Sequence, residues 1–301
     1  MPSMSFRSVA VLLAITFLST PVRADDGDDA KKPPEPSFKE RLARDGRVEM
    51  RKDGKRTPIA AEELVKLLEN PPPVSGLFRG IRISGAEVAG ELNLANADIS
   101  VDVQLEDCTF SGAVVLSRAI FRKGLSFDSC EFENKVDMAG VNIAGNLLAK
   151  NAKFEGEGPS LDLSTATISG AVSFDGAIFS NEAKLSQITI ASNLDAKNAK
   201  FLGKALVLEM RSAKIRGSVS FDDAEFHGWL DCYHADIAVD LSFLRSEFCN
   251  CQNDSEQVFL NTVHVGGSVF IRYAICNRPF ILDHASVGIN LEADGAKFNW
   301  V

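Results

Sequence analysis

Between Ile81 and Phe298 the apolar residues of this chain fall into one frame of eleven: apolar, any, apolar, any, any, small, any, large apolar, then three more. Units of this frame begin at Ile81, Leu92, Val103, Val114, Leu125, Val136, Leu147, Leu161, Val172, Ala183, Leu194, Leu208, Val219, Leu230, Leu241, Val258, Val269, Phe280 and Leu291. A helix would need apolar spacing near 3.6, whereas inward residues two apart, separated by short polar steps, are the mark of very short strands. One such unit cannot bury its own apolar face, so the chain must stack copies of it into a solenoid.

The units alternate. In one set the large residue is mostly Phe (Phe110, Phe132, Phe154, Phe179, Phe201, Phe226, Phe248 and Phe298), and in the other mostly Ile (Ile99, Ile143, Ile168, Ile190, Ile215 and Ile237). Identities therefore recur over two units, and a coil of about 22 residues would set each Phe on the next, one strand spacing of about 4.8 Å away. The near-identical nonapeptides NLLAKNAKF (146–154) and NLDAKNAKF (193–201) then occupy the same two sides of the rod, two coils apart. The fold expected is all-β, a parallel β-helix with a small N-terminal α/β cap.

Ala97-Asp98-Ile99 and Ala235-Asp236-Ile237, with the near matches Ala152-Lys153-Phe154 and Ala199-Lys200-Phe201, resemble the A-D/N-L-x-x units of the pentapeptide-repeat proteins. The resemblance covers roughly residues 81 to 298. It implies a right-handed, four-sided β-helix, and it speaks to fold far more than to activity. Two departures imply a wider or less regular coil: the steps run five then six residues, and the position two before the central residue is often Leu or Val where the family prefers Ala.

Residues 1–24 carry Arg7, an apolar run from Val9 to Leu18, and Val22-Arg23-Ala24 ahead of Asp25, the layout of a cleaved secretory signal. Residues 25–37 are charged and proline-bearing and read as a disordered linker. Residues 38–76 read as the cap: a helix from Phe38 to Arg44, strands Arg47–Met50 and Arg56–Ile59 around a Lys52-Asp53-Gly54-Lys55 turn, and a helix from Ile59 to Glu69 stopped by Pro71-Pro72-Pro73. The solenoid takes 77–301. The reading is of an exported bacterial protein, periplasmic or extracellular, with no transmembrane segment after signal cleavage. The C-terminal end shows no capping helix: either an exposed strand edge there joins two chains in an elongated homodimer, or the reading frame is shorter than those of its relatives.

Three insertions break the frame, after Phe154, Phe201 and Phe248, all at one corner and two coils apart. Insertions that collect on one face of a repeat array often mark its binding face, although a solvent-facing corner also tolerates bulges freely. The last insertion is the least repetitive, so Asn250, Gln252, Asn253, Asp254 and Glu256 are the candidate interaction loop. Six Cys in an exported chain permit disulfides. Cys276, which stands where the frame calls for Phe, would bridge to Cys251 or Cys249; a metal site on Cys249-x-Cys251 lacks a second ligand pair at recognisable spacing. Cys108 and Cys130 occupy equivalent inward positions one coil apart and read as small buried thiols.

Asp128, Lys150, Asp175, Lys197 and Asp222 fall at one corner of successive coils with alternating sign, an arrangement that would set register. His234 and His284 share an outward column, His264 lies on the adjacent side above Asp236, and His227 completes the set of four. None shows the spacing of a known ligand set. There is no G-x-S-x-G and no glycine-rich phosphate loop, and Asp222, Asp223 and Glu225 read as a solvated face. No catalytic, cofactor-binding or metal-ligating residue is assigned. The net charge of −9, spread along the chain, argues against nucleic acid, which requires a basic face. The function expected is a non-enzymatic protein-binding or envelope scaffold with an unidentified protein partner. The alternative is a carbohydrate-binding or carbohydrate-active β-helix using the loop-bearing corner or the face with Trp229 and Tyr233.

Overall fold

Most of the eleven-residue units fold as two strands of two residues joined by a tight turn, and a few strands run longer, such as Gly80–Ser84 and Asp102–Glu106. In Leu147–Phe154, strand Leu147–Leu148 leads to Ala149, a turn at Lys150 and Asn151, the small Ala152, and strand Lys153–Phe154. The Ala152 N–H returns to the Ala149 carbonyl at 3.3 Å, and Asn151 sits at φ 55°. The same left-handed residue recurs once per unit. It is Asn or Asp at Asn96, Asp107, Asn198 and Asp223, which tolerate that region, but Thr165 and Thr262, which do so poorly, also adopt it. The inward residue behind the turn is Ala or Cys in most units, while Val141, Ile188 and Val263 occupy the same buried place.

In the computed structural model, residues 37–73, 80–249 and 257–299 are described. The units stack into four parallel sheets. With Leu147–Ile168 as the sample coil, face 1 carries Leu147, face 2 Phe154, face 3 Leu161 and face 4 Ile168; faces 1 and 2 hold 11 strands each and faces 3 and 4 hold 9. Every unit start pairs in the register of the frame, Ile81 with Val103 and Leu92 with Val114. Five-residue steps take the tight turns, between faces 1 and 2 and between faces 3 and 4. Six-residue steps take open bends at the other two corners, and the coil stays four-sided. The bends bring coil backbones close together: at Gly145 a Cβ would stand 2.7 Å from the Gly124 nitrogen one coil below. Glycine there is a packing requirement.

The core is a set of columns. Phe110, Phe132, Phe154, Phe179, Phe201, Phe226 and Phe248 stack in parallel at 4.9–5.0 Å between centroids. Phe127, Phe174, Phe221 and Phe243 from face 1 meet this column edge-on. Where Cys276 replaces Phe, Phe280 swings in from face 3 and packs edge-on against Phe248 at 4.9 Å. At about 4.8 Å per strand, the 11 strands of face 1 make a rod about 48 Å long.

The cap is built differently from the sequence expectation. Strands Arg47–Glu49 and Thr57–Ala60 do not form a hairpin with each other. They pair in parallel with Gly80–Ser84 and Ala86–Ala89, and so supply faces 1 and 2 of an extra coil. Only Lys52 and Lys55 make an antiparallel bridge, around the turn between them. Helix α1 (Phe38–Asp45) starts on a Ser37 capping box with Glu40 and ends on Gly46 at φ 69°. Helix α2 (Ala61–Glu69) packs against Leu92–Asn93 and Asp98–Ile99, burying Leu64, Leu67 and Leu68 where faces 3 and 4 have no further strand. Among the described residues no helix is long and apolar enough to cross a membrane.

Candidate functional site: an aromatic recess on face 3

The second insertion alters face 3. It lengthens one strand to Leu206–Glu209, whose register against Trp229–Asp231 slips between Leu206 and Leu208. Val207 and Leu208 are consequently both buried, and Leu206 is left beside Trp229. One coil further on, Phe259 stands next to Asp231 and meets Trp229 at 6.3 Å and 66°. Leu206, Trp229 and Phe259 with Arg211, Asp231 and Tyr233 line a recess of about 410 Å³. That volume suits one large side chain or a small ligand.

Its polar groups are few and ordered. The Arg211 guanidinium donates to Asp231 Oδ2 through Nε and Nη2, both at 2.6 Å, and lies 3.7 Å from Glu209. Asp231 Oδ1 accepts the Tyr233 backbone N–H at 2.9 Å. Asp231 is only 5 % exposed, so its charge needs these partners. The Asp231 hydrogen bond and charge hold the Arg211 pKa above its ordinary value. The Arg211 side chain remains 57 % exposed. Trp229 Nε1 is buried with no acceptor among the described residues, a cost of about 1–3 kcal/mol for an orphaned donor.

Trp229 and Tyr233 were legible in the sequence; Leu206, Arg211, Asp231 and Phe259 were not. The one signal was indirect: the recess lies between the second and third insertions. Tyr273 is exposed but belongs to the turn between faces 1 and 2, so it does not extend the aromatic set. A second hollow near the cap is lined by Arg51, Lys55 and Arg56, but Arg51 and Arg56 are engaged by Asp107 and Glu131.

The corner charges act otherwise than expected. Asp128 and Asp175 accept the backbone N–H groups of Lys150 and Lys197 one coil on, at 2.8 and 3.1 Å, and Asp222 accepts that of Leu244 at 3.2 Å. Among the described residues the lysine ammonium groups form no ion pair with them; Lys197 lies instead 3.9 Å from Asp195. The carboxylates therefore cap the backbone of the next coil. Asp223 pairs with Arg245 through two bonds of 2.6 Å, and Glu225 with Lys200 at 3.1 Å. His264 stands beside Asp236, and His234 and His284 occupy equivalent left-handed turns. These three histidines join no group of three metal ligands among the described residues.

Cys108 and Cys130 are buried free thiols, and burial pushes Cys130 well above its ordinary pKa. Cys249 and Cys276 are also free. Cys251 and the loop residues Asn250, Gln252, Asn253, Asp254 and Glu256 lie outside the described residues.

Fold and recess together define a four-sided parallel β-solenoid with an aromatic-walled hollow on its side. No family model and no curated protein matches the chain. Among solved structures it is similar to HetL, a pentapeptide repeat protein involved in heterocyst differentiation regulation from the cyanobacterium Nostoc sp. strain PCC 7120. Identity is 18 %, over 70 % of this chain and 84 % of that one, with a TM-score of 0.26.

Proposed function

We propose that this chain is an exported, non-enzymatic scaffold that binds a protein partner through the face 3 recess, with the 249–257 insertion as a second contact. The observation that carries this reading is the gathering of Trp229, Tyr233 and Arg211 around one hollow. Those three residue types dominate the energetics of protein interfaces, where a central anchor fills a desolvated pocket. The partner's chemistry follows from the lining: an apolar or aromatic side chain for the Leu206–Trp229–Phe259 walls, and a neighbouring carboxylate for the exposed side chain of Arg211. A row of exposed aromatics would favour a glycan, and here they are clustered instead. Export rests on the signal-like layout of residues 1–24.

The test is an affinity pull-down from envelope extract with the mature chain, Trp229→Ala, Arg211→Glu and a deletion of 249–257. One envelope protein retained by the parent and lost with Trp229→Ala supports the proposal. Equal capture by Trp229→Ala and the parent removes the recess from it, and specific binding on a glycan array puts the carbohydrate reading in its place.

We also propose that two copies pair end to end through the last coil. Ile289, Leu291 and Phe298 are 69 %, 52 % and 43 % exposed there, and a second copy brings strands at the same spacing to the same edge.

A further inference from the structure

The stacked phenylalanines that hold the core also set the spacing of what lies outside it. On face 2, Phe226 and Phe248 stack at 4.9 Å and 5°. Glu225 and His227 flank Phe226 and point outward, as the strand period requires. Cys249 follows Phe248 one coil on, in register with His227. One carboxylate oxygen of Glu225, one ring nitrogen of His227 and the Cys249 sulfur all lie within 4.8 Å of one another.

We propose that Glu225, His227 and Cys249 bind a divalent cation of the zinc class at the root of the third insertion. Oxygen, nitrogen and sulfur donors in one set suit zinc, which accepts all three and takes three protein ligands with solvent in the fourth place. Bond lengths of about 2.0–2.3 Å place the ligand atoms of a tetrahedral zinc about 3.3–3.7 Å apart, and the three atoms already lie within 4.8 Å of one another. Binding takes the thiolate and releases its proton to solvent. Glu225 would exchange its contact with His227 Nε2 for the cation, and it keeps Lys200 at 3.1 Å as an outer partner.

The backbone behind the site is already held. The Cys249 N–H donates to the Phe226 carbonyl at 2.9 Å and that of His227 to the Phe201 carbonyl at 2.8 Å. Arg278, 1 % exposed, runs through the corner from the coil above. Its Nε donates to the Cys249 carbonyl at 2.7 Å and its Nη2 to the His227 carbonyl. One buried guanidinium thus fixes the two segments that present the nitrogen and sulfur ligands, which is the support a preorganised site needs. In the sequence the set is invisible: Glu225-x-His227 and Cys249 are joined only by the coil period.

The test titrates the purified, reduced mature chain with Co²⁺ and then Zn²⁺, alongside Cys249→Ser, His227→Ala, His227→Gln, Glu225→Gln and the remote control His264→Ala. The expected result is one cobalt per chain with a thiolate-to-cobalt charge-transfer band, bleached by one equivalent of zinc. Cys249→Ser should abolish the band, and His227→Ala and His227→Gln should each weaken zinc at least tenfold. Glu225→Gln should weaken it less, and His264→Ala should leave it unchanged. Zinc should raise the thermal midpoint of the parent but not of Cys249→Ser. All the changed side chains face outward, so melts without metal verify that each variant is folded. A parent without the band, a Cys249→Ser variant that keeps it, or His227 variants no weaker than His264→Ala would overturn the site.

Discussion

The two ends of the described solenoid share its columns but bury them to different extents. At the N-terminal end the chain lays down two sides of an extra coil and folds α2 over the other two, so that Leu64, Leu67 and Leu68 are buried. Arg56 then stitches this coil to later ones: it donates to the Asp107 carbonyl and Oδ1, both at 2.9 Å, to Thr109 Oγ1 at 2.7 Å and to Glu131 at 3.1 Å. At the other end Leu291 and Phe298 hold the same column positions as buried residues elsewhere, yet stand half in solvent. The difference teaches that in a linear array a residue's worth depends on what stacks on both sides of it, not on its place in the repeat.

The sharpest way to break that comparison is to truncate one leucine at each end. Leu64→Ala should lower the unfolding free energy by about 2–5 kcal/mol, whereas Leu291→Ala should cost less than about 1 kcal/mol. Denaturant melts of the two variants decide it, and equal losses would mean the ends are not differently protected. Next in size, Arg56→Ala should cost about 1–3 kcal/mol, because it removes charged hydrogen bonds at a partly buried site. Native-state hydrogen exchange should then show residues 47–60 opening before the central coils.

A smaller effect is expected from pH. The hydrogen bond from Lys153, then the charges of Arg56 and Lys153, hold the Glu131 carboxyl below its ordinary range. A lowered folded-state pKa stabilises the fold above the unfolded pKa, and that contribution is lost as pH falls through the folded value. Glu131 is partly exposed, so the contribution is on the order of 1 kcal/mol or less. Glu131→Gln should flatten the acid limb of the stability curve and leave its slope above pH 6 unchanged. Smallest of all, Leu291→Lys with Phe298→Lys should move the melt by less than about 0.5 kcal/mol per chain at low concentration. By sedimentation the parent should show twice the mass of that variant; two monomers would remove the proposed end-to-end pair.

Much of the solenoid was legible because its errors would be costly. A slip of one residue turns every Phe of the stack outward, so the eleven-residue frame and the pairing register coincide from Ile81 to Leu291. The cap was half legible. Helix α1 follows from its local caps, but α2 begins at Ala61 without a side-chain cap, because Ile59 belongs to a strand. Strands Arg47–Glu49 and Thr57–Ala60 looked like a hairpin because the turn between them is local and their true partners lie on the next coil. The recess was less legible still: Trp229 and Tyr233 stood out as rare residues, while Asp231 gave no sign that it is buried under Arg211.

Sequence alone determined the columns of this protein: which residues face inward, how many make a coil, and where the corners lengthen. Those follow from side-chain period and apolar burial, which every unit repeats and therefore reinforces. Only the tertiary structure decided which outward residues meet. The slip at Leu206 and Leu208 opens the recess beside Trp229, and the passage of Arg278 behind Cys249 and His227 ties those two segments together. Such contacts depend on insertion length and on coils above and below, and no single repeat encodes either.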